Sequence, residues 1–379
     1  MKKAAVLGAG MVGSAIAVDL SGDYDVTAID VDGEKLQSLK SRFNLNVKQC
    51  DVSNSGLLKE IINDYDIVIG AVPGYMGFAT LKTIIESGKN VVDISFFEED
   101  PFMLDELAKS NNVTAVVDCG VAPGLSNIVL GMHNSKMELQ SFECMVGGLP
   151  FKRTLPFQYK VPFSPSDVIE EYIRPARLIE NGSLVIKSAL SDPELYNVDP
   201  VGTLEAFNTD GLRTLLKTMR IPNMKEKTLR YPGHADYINF LKDAGFFGKE
   251  EIEVDGKKVK PLDVASKILL TQWKLEPGEK EFTIMIIKIK GKLNGSEKEF
   301  TYKLFDTFDE VKGISSMART TGYSCSSVAR LVLNNDFNRK GISPPEFVGS
   351  DENCYCKIMD DLKERGIILH QAESLDICD

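Results

Sequence analysis

The chain has 379 residues, of which 43% are hydrophobic and 26% are charged, and its formal net charge is −11 at pH 7. This length allows two domains with separate cores, and the composition is that of an ordinary globular protein. The negative charge argues against sequence-independent nucleic-acid binding and against attachment to an anionic membrane surface, since both need a basic face. The chain begins with a predicted strand and has no run of 18 apolar residues, so we expect a cytoplasmic protein without a signal peptide.

The seven cysteines form an odd set that does not match the framework of a small disulfide-rich domain. In a reducing compartment we expect them to be free thiols. Cys354 and Cys356 form a C-x-C pair, but neither a second pair nor a nearby histidine completes a zinc ligand set. We therefore expect no metal site. The remaining cysteines are Cys50, Cys119, Cys144, Cys325 and Cys378.

The first thirty residues carry the clearest pattern in the chain. A short apolar run, Ala4–Leu7, predicts a buried parallel strand, and Gly8, Gly10 and Gly13 follow it with G-x-G-x-x-G spacing. In a dinucleotide-binding turn, these three glycines respectively make the tight turn, admit a pyrophosphate and let the helix pack on the strand. The strand, the spacing and the helix that follows together predict such a site.

The helix predicted over Gly10–Leu20 begins at this turn, and the N–H groups of its first residues, Met11 and Val12, are expected to face the phosphates. A second predicted strand, Val26–Ile29, ends at Asp30. A carboxylate at this position accepts hydrogen bonds from the ribose hydroxyls and repels a 2′-phosphate. We therefore expect NAD, rather than NADP, as the cofactor.

Strand and helix patterns alternate from Lys2 to about Val117, which predicts an α/β fold with a doubly wound parallel Rossmann sheet and right-handed crossovers. The predicted strands are Ala4–Leu7, Val26–Ile29, Val47–Lys48, Ile67–Ala71, Val91–Asp93 and Thr114–Val117. The predicted helices are Gly10–Leu20, Glu34–Ser41, Ser53–Ile62, Gly77–Ser87 and Phe102–Ser110.

Two of these strand ends carry residues that fit a dinucleotide. Asp51 and Val52 follow the third strand, where an adenine ring commonly rests, and Val72 and Pro73 follow the fourth, where a nicotinamide ribose would lie. Each also has a purely structural interpretation, since Asp51 could cap a helix and Pro73 could belong to a simple turn.

Glycine and proline punctuate residues 118–150, where we place the crossing into a second domain built as α+β on a mixed or antiparallel sheet. Asp255-Gly256 and Asn294-Gly295 predict hairpin turns, and the second of these joins two long strands, Thr283–Leu293 and Glu297–Phe305. Further predicted elements are extended segments at Gln140–Val146 and Leu184–Lys187 and helices at Ile128–Asn134, Val201–Met219, Val264–Lys274, Ser326–Leu333 and Tyr355–Arg365.

Several side chains beyond the first glycines could carry chemistry. Asp118 follows the last predicted Rossmann strand, and His234 is one of three histidines, a residue type that ordinarily titrates near neutrality. Asp118 could equally cap the strand end, and His234 could be a satisfied polar group in a turn. Arginine offers a planar fork that matches a carboxylate, so candidates for holding an amino-acid carboxylate are Arg213, Arg230 and Arg319. Each arginine could instead form an ordinary salt bridge.

Read in order, these stretches resemble the saccharopine dehydrogenase-like family, and most closely its lysine 6-dehydrogenase branch. The matching motifs are VLGAGMVG, VVDISFFEED, DCGVAPGLSN, GGLP, EAFNTDGLRTL, TLRYPGH and ARTTGY, which span residues 6 to 323. The resemblance implies an NAD-binding Rossmann domain over residues 1–125, an inserted catalytic domain over 126–318 and a C-terminal segment, 319–379, that returns to the Rossmann domain. It also implies that the inserted sheet mediates formation of a homodimer or higher homo-oligomer.

The chain departs from the saccharopine reductases of this family at three places. Those reductases have DPG where this chain has Ala122-Pro123-Gly124, and Ser-Tyr where this chain has Ser95-Phe96. They also have a cysteine before GGLP, at the position where this chain has Val146. The acidic residue and the cysteine of the reductase pattern are therefore missing. These departures fit a smaller substrate that has one carboxylate.

The resemblance thus implies NAD-dependent oxidative deamination of the ε-amine of L-lysine to 2-aminoadipate 6-semialdehyde, which cyclises to a piperideine carboxylate, with release of ammonia. Asp118 or His234 is expected to act as the acid/base group, and Asp93 is expected to attract the substrate ammonium. The expected substrate-binding residues are the three arginines together with Tyr231, Thr320 and Tyr323. Alternatives are a saccharopine dehydrogenase, a carboxynorspermidine synthase and a non-catalytic NAD-binding sensor.

Overall fold

The computed structural model describes residues 1–161, 165–276 and 278–372, without the side chains of 165–167. These residues form two compact units. The first contains Met1–Glu138 and Met317–Leu369, and the second contains Leu139–Ser316 and the residues from His370 onward. The first crossing thus lies after Glu138 rather than after residue 125. Asn127 explains this position, because its buried side-chain amide donates to Glu346, a residue of the first unit, at 3.0 Å.

In the part of the chain that the structure describes, the first unit has a seven-stranded sheet in the order β17-β6-β5-β4-β1-β2-β3. Every adjacent pair is parallel. The inner strands are short apolar runs covered on both faces, as a parallel sheet requires. The strands are β1 (Lys3–Leu7), β2 (Asp25–Asp30), β3 (Asn46–Gln49), β4 (Ile67–Gly70), β5 (Asn90–Asp93), β6 (Thr114–Val116) and β17 (Gly341–Ser343). The predicted doubly wound parallel sheet is therefore confirmed.

The helices of the first unit lie between these strands and near the C-terminus. Local capping sets several of their ends: Asp32 accepts from the first-turn N–H groups of α2, and Asn54 does the same for α3. They are α1 (Met11–Leu20), α2 (Gly33–Phe43), α3 (Ser55–Ile62), α4 (Gly74–Glu86), α5 (Asp105–Ser110), α6 (Leu125–Asn134), α11 (Ser316–Leu333), α12 (Pro345–Gly349) and α13 (Glu352–Glu364). A single 3-10 turn, Pro101–Leu104, precedes α5.

An ion-pair network ties the C-terminal helices to α1. The carboxylate of Asp19, with 5% of its side chain exposed, lies 2.8 Å from Arg330 of α11 and 2.5 Å from Arg365, which follows α13. Arg365 also pairs with Asp361 at 2.6 Å. Because two cations and two carboxylates balance each other in this partly buried place, α11 and α13 are held against α1.

In the described residues the second unit has a nine-stranded sheet. Its main path is β10-β11-β12-β7-β15-β16-β18, while β8 pairs with β12 and β9. The sheet is mixed, because β12 and β7 are parallel whereas the other recorded pairs are antiparallel. The strands are β7 (Glu138–Pro150), β8 (Ala176–Glu180), β9 (Ser183–Lys187), β10 (Glu194–Val198), β11 (Gly202–Asn208), β12 (Asn223–Arg230), β15 (Glu281–Leu293), β16 (Ser296–Thr307) and β18 (Leu369–Ala372).

Among the residues that the structure describes, four helices and a small hairpin complete the second unit. Its core includes Tyr172, Phe207, Trp273 and Phe282. The predicted hairpin turns at Asp255-Gly256 and Asn294-Gly295 are both present, the second joining β15 to β16. The helices are α7 (Pro165–Ile173), α8 (Leu215–Thr218), α9 (His234–Asp243) and α10 (Pro261–Trp273), and the hairpin strands are β13 (Ile252–Val254) and β14 (Lys257–Val259).

Three predictions about local structure, two in the second unit and one at α11, differ from the structure. Within the helix predicted at Val201–Met219, Gly202–Asn208 form strand β11 and Leu215–Thr218 form helix α8, because pairing with β10 and β12 overrides the helix propensity of the Leu-Glu-Ala segment. The extended segment predicted at Gln140–Val146 is longer than expected, since strand β7 continues to Pro150 and includes the GGLP motif. The helix predicted at Ser326–Leu333 begins earlier, at Ser316, so the ARTTGY motif lies inside α11.

The six cysteines in the described residues are free thiols, and Cys378 lies outside those residues. None of the helices that the structure describes is both long enough and apolar enough to cross a lipid bilayer.

Candidate functional site

The glycine turn after β1 brings three pieces of backbone together. Gly8 has φ = +102°, and a Cβ on it would lie 2.3 Å from the carbonyl oxygen of Ala71. A Cβ on Gly13 would lie 2.0 Å from the carbonyl oxygen of Gly8. A Cβ on Gly10, in contrast, would meet no atom within 4 Å, and this residue starts α1 without a side-chain cap. The turn therefore leaves open space at the helix N-terminus, where an anion would bind.

Met11 and Val12 form the first turn of α1, with Met11 44% exposed and Val12 half-buried. Asp30 is the last residue of β2, as predicted. Its Oδ2 accepts from the Ala9 N–H at 2.6 Å and its Oδ1 accepts from the Asp32 N–H at 2.9 Å. These two bonds fix the carboxylate beside the glycine turn and leave lone pairs on both oxygens for further donors.

The other predicted cofactor residues divide into core and loop. Val52 and Val72 are 9% and 7% exposed and pack in the core of the first unit. Asp51 is exposed, and its carboxylate accepts from the N–H and Oγ of Ser53 at 3.0 and 2.6 Å, which lowers its pKa. Pro73 is exposed and is the residue immediately before α4. Asp51 and Pro73 are thus the two of these four that present surface to a ligand.

Two buried carboxylates lie at the ends of adjacent strands. Asp93 ends β5 with no exposed surface, and it accepts from the N–H of Ser95 at 2.8 Å and from its Oγ at 3.3 Å. A Cβ on Gly70 would lie 1.8 Å from Asp93 Oδ2, so the carboxylate packs on bare backbone at the end of β4. Asp118 follows β6, is 3% exposed and has φ = +53°. The Cys119 N–H donates to the Asp93 carbonyl at 3.0 Å, which holds the two strand ends together.

The residues of the ARTTGY motif belong to the first unit. Arg319 donates through Nη2 to the Arg365 carbonyl at 3.0 Å, and its guanidinium lies 5.8 Å from the ring centre of Tyr323. Thr320 and Tyr323 are buried, with 0% and 1% exposure. Arg319, Thr320 and Tyr323 therefore belong to the first unit, whereas Arg213, Arg230, Tyr231 and His234 belong to the second.

Arg230 ends β12 with 2% exposure. Its guanidinium donates to the hydroxyl of Tyr172 at 2.9 Å and to the carbonyl of Leu229 at 2.9 Å, and it lies 3.4 Å from both the Tyr159 hydroxyl and Glu171 Oε2. It also lies 4.4 Å from the ring centre of Tyr159. Arg230 is thus engaged by aromatic rings and a carboxylate inside the core.

His234 lies in the same core, with 1% exposure. Its Nε2 is 2.9 Å from the Tyr172 hydroxyl, and its Nδ1 is 2.9 Å from the Phe157 carbonyl. Burial, together with the charge of Arg230, lowers the pKa of His234 to about 3, so the ring is neutral at pH 7. Its neighbour along the chain, Tyr231, is buried and donates to the carbonyl of Pro150 at 3.0 Å.

Arg213 lies in the loop between β11 and α8, with φ = +43° and 8% exposure. Asp210 of the same loop accepts two hydrogen bonds from Arg177, both at 2.8 Å.

Beneath this loop lies Glu226 of β12, which we did not predict as a site residue. Burial raises the pKa of its carboxyl to about 8. A single sequence gives no signal for it, because an acidic residue within NMKEKTLR is indistinguishable from a solvent-facing one.

Comparison with known proteins covers almost the whole chain. A family model described as the saccharopine dehydrogenase NADP binding domain matches residues 4–116, and one described as the saccharopine dehydrogenase C-terminal domain matches residues 120–367. The solved structure of apo saccharopine dehydrogenase (L-Glu forming) from Saccharomyces cerevisiae has a TM-score of 0.79 at 21% identity, covering 99% of this chain and 100% of that one.

Curated relatives carry related names. The alpha-aminoadipic semialdehyde synthase of Arabidopsis thaliana is 27% identical over 71% of this chain and 27% of that protein. The NADP(+), L-glutamate-forming saccharopine dehydrogenase of Schizosaccharomyces pombe is 22% identical over 85% of this chain and 87% of that protein. The chain spans less than half of the length of the first relatives that it matches. Since the C-terminal model alone matches more than half of the chain, the chain belongs to the saccharopine dehydrogenase family.

Proposed function

We propose that this chain is a nicotinamide-dependent oxidoreductase that oxidises the carbon bearing the ε-amine of L-lysine. L-lysine, NAD⁺ and water would give 2-aminoadipate 6-semialdehyde, NADH, H⁺ and ammonia. The observation that carries the proposal is Asp118: a buried carboxylate with left-handed backbone, at the end of a strand of the dinucleotide-binding sheet. Backbone of this kind is uncommon outside glycine and is concentrated at functional sites.

The expected cofactor fits the residues of the first unit. Gly8, Gly10 and Gly13 leave the open helix N-terminus for the phosphates, and the fixed carboxylate of Asp30 can accept from ribose hydroxyls. A bound nicotinamide supplies the hydride acceptor. Because the carboxylate at Asp30 would repel a 2′-phosphate, we propose NAD rather than NADP.

The protein must also move protons. A free lysine ammonium has a pKa of about 10.4, so a base has to generate the neutral amine, and a water that attacks the iminium must be deprotonated. Between the two acid/base candidates we now choose Asp118, because both ring nitrogens of His234 are engaged in the core and its pKa is lowered to about 3. Asp93 adds negative charge beside it, and Arg213 is proposed to bind the substrate carboxylate.

Saccharopine is the second candidate substrate, favoured by the names of the relatives. Lysine is favoured by Ala122 and Val146, which stand where the saccharopine reductases have an acidic residue and a cysteine. The deciding experiment follows NADH and NADPH absorbance with lysine, saccharopine and carboxynorspermidine, each offered with NAD and with NADP. We expect turnover with lysine and NAD. Turnover with saccharopine alone would transfer the assignment, and binding of dinucleotide without any turnover would favour a sensor.

Alanine at the glycine turn separates binding from folding. Gly10→Ala places a methyl group in open space, so we expect a melting temperature near that of the wild type but a Kd for NADH raised by about tenfold or more, since the methyl group blocks the approach of a phosphate. Gly13→Ala is the matched variant: its methyl group would meet the Gly8 carbonyl, so we expect destabilisation by about 1–3 kcal/mol. Thermal unfolding and NADH fluorescence titration give both quantities. Unchanged NADH affinity in Gly10→Ala would contradict the proposed phosphate site.

Asp30→Asn tests cofactor choice, because it removes the charge and retains an acceptor for one backbone N–H group. A charge near a 2′-phosphate is worth ~1–4 kcal/mol at 4 Å, so we expect the ratio of kcat/KM for NAD to that for NADP to fall by at least about fivefold. Asp25→Asn, at the opposite end of β2, is the control and should leave the ratio unchanged. A wild-type enzyme that prefers NADP would show that the carboxylate does not set this choice.

Asp118→Asn tests the acid/base assignment. Asparagine tolerates positive φ as well as aspartate does, so the backbone is preserved while the titrating group is lost. We expect kcat to fall by about 10²–10⁴-fold with NADH affinity retained. Asp64→Asn, an exposed carboxylate on the same unit, serves as the control. Wild-type turnover in Asp118→Asn would remove Asp118 from the mechanism.

A further inference from the structure

Four polar side chains of the second unit form a continuous chain of oxygen atoms. Glu226 Oε2 lies 2.7 Å from Thr209 Oγ1, which lies 2.9 Å from Thr228 Oγ1. The Thr228 hydroxyl in turn contacts Oε1 of Glu171, on α7. Glu226, Thr209 and Thr228 are 6%, 2% and 3% exposed, so solvent does not compete for the two contacts among them, and the side chain of Glu171 is 18% exposed.

The number of hydrogen atoms available to these four side chains determines their protonation. Three oxygen–oxygen contacts at hydrogen-bond distance need one hydrogen each, and the two threonine hydroxyls supply two. If both glutamates were ionised, one contact would join two oxygens with no hydrogen between them, at a buried position where such an unmade bond is costly. One of the two carboxyl groups must therefore carry the third hydrogen.

The surroundings decide which carboxyl group carries it. Glu171 Oε2 lies 3.4 Å from the guanidinium of Arg230, so the positive charge of this core arginine is paired with Glu171. Glu226 faces the carboxylates of Glu171 and Asp210, and Asp210 is itself paired with Arg177. Arg230 attracts the charged form of Glu226, but burial disfavours that form more strongly. On the neighbouring strand β7 the residue in register with Glu226 is Cys144.

The neutral carboxyl group supports the loop that carries Arg213. A Cβ on Gly211 would lie 2.4 Å from both Cδ and Oε2 of Glu226, so the loop backbone rests directly on the carboxyl group. Thr209 begins this loop, and its N–H donates to the Glu226 carbonyl at 3.4 Å. Glu226 thus contacts the loop at Thr209 and Gly211, and Arg213 follows two residues later.

We propose that the side chains of Glu226, Thr209, Thr228 and Glu171 together hold one proton at neutral pH, and that this proton is on Glu226. Glu226 with its neutral carboxyl group is then a positioning residue, which fixes the Arg213 loop so that it can bind the carboxylate of an amino-acid substrate. The second part rests on the proposed function, whereas the first does not. Loss of this proton leaves one of the three oxygen–oxygen contacts without a hydrogen and places a negative charge next to the Arg213 loop. Substrate binding then weakens as the pH rises through the pKa of Glu226.

The protonation is tested without any substrate. We expect the infrared difference spectrum between pH 7 and pH 10 to show the carbonyl stretch of a protonated carboxylic acid at pH 7, and expect Glu226→Gln to remove it. Glu143→Gln is the matched control on β7, because Glu143 forms an ion pair with Lys225 at 2.9 Å; this variant should leave the band in place. A band that survives in Glu226→Gln would overturn the proposal.

Stability gives a second readout with a defined sign. The ordinary carboxyl pKa of 4.5 applies to the unfolded chain, and the folded value is about 8, so folding takes up a proton between these pH values. Stability of the wild type should therefore fall relative to Glu226→Gln as the pH rises from about 4.5 to about 8, and then level off. A difference between the two proteins that does not change with pH would contradict the assignment.

Kinetics test the positioning role. Relative to Glu226→Gln, the wild-type KM for the amino-acid substrate should rise above pH 8, approaching tenfold per pH unit, while the kcat ratio stays within about twofold. Thr209→Val should raise KM at every pH, and Thr209→Ser, which retains the hydroxyl, should restore it. A pH-independent KM ratio would overturn the positioning role. Absence of turnover in every protein would count against the proposed function, but it would not affect the infrared test of the protonation, which uses no substrate.

Discussion

Backbone-to-backbone approach at the start of the chain is the constraint on which the first unit depends. Gly8 lies against Ala71, at the end of β4, and Gly13 lies against Gly8, so two strands and one helix meet without intervening side chains. This contact sets the position of the N-terminus of α1 relative to Asp30. A side chain at either glycine would separate these elements. The open space at Gly10 would then no longer lie next to both the N-terminus of α1 and the carboxylate of Asp30.

Local sequence patterns were sufficient for the strands of the first unit up to β6, but not for its last strand, β17, or for much of the second unit. The glycine spacing, the apolar runs and the acid at position 30 each report on residues that are close in sequence, and the parallel strands they predicted are present. Strand β17 escaped prediction because its three residues, Gly341–Ser343, form a strand only by pairing with β6. Strand β11 was mistaken for a helix for the same reason, since its state is decided by β10 and β12.

The same distinction applies to the candidate site. Asp30, Asp93 and Asp118 could be chosen because parallel strand ends gather at one edge of a sheet. Arg230 and His234 were chosen by residue type, and type alone cannot reveal that Tyr159, Tyr172 and Glu171 already occupy them in the core. Glu226 could not be identified at all, because its importance comes from Thr209 and Gly211 of a different segment.

The carboxyl groups of Asp19, Glu226 and Asp30 are stabilised in three different ways, and this bears on cofactor choice. Asp19 is balanced by two arginines, and Glu226 is neutralised by a proton, whereas Asp30 is held by two backbone N–H groups that supply only partial charges. These two hydrogen bonds fix the carboxylate of Asp30 beside the glycine turn. A 2′-phosphate placed there would meet a fixed negative charge without a compensating cation on either hydrogen-bond partner, Ala9 or Asp32. The family model that matches this region is described as NADP binding, but cofactor preference depends on this one strand end and not on the fold, so the description does not determine the preference of this chain.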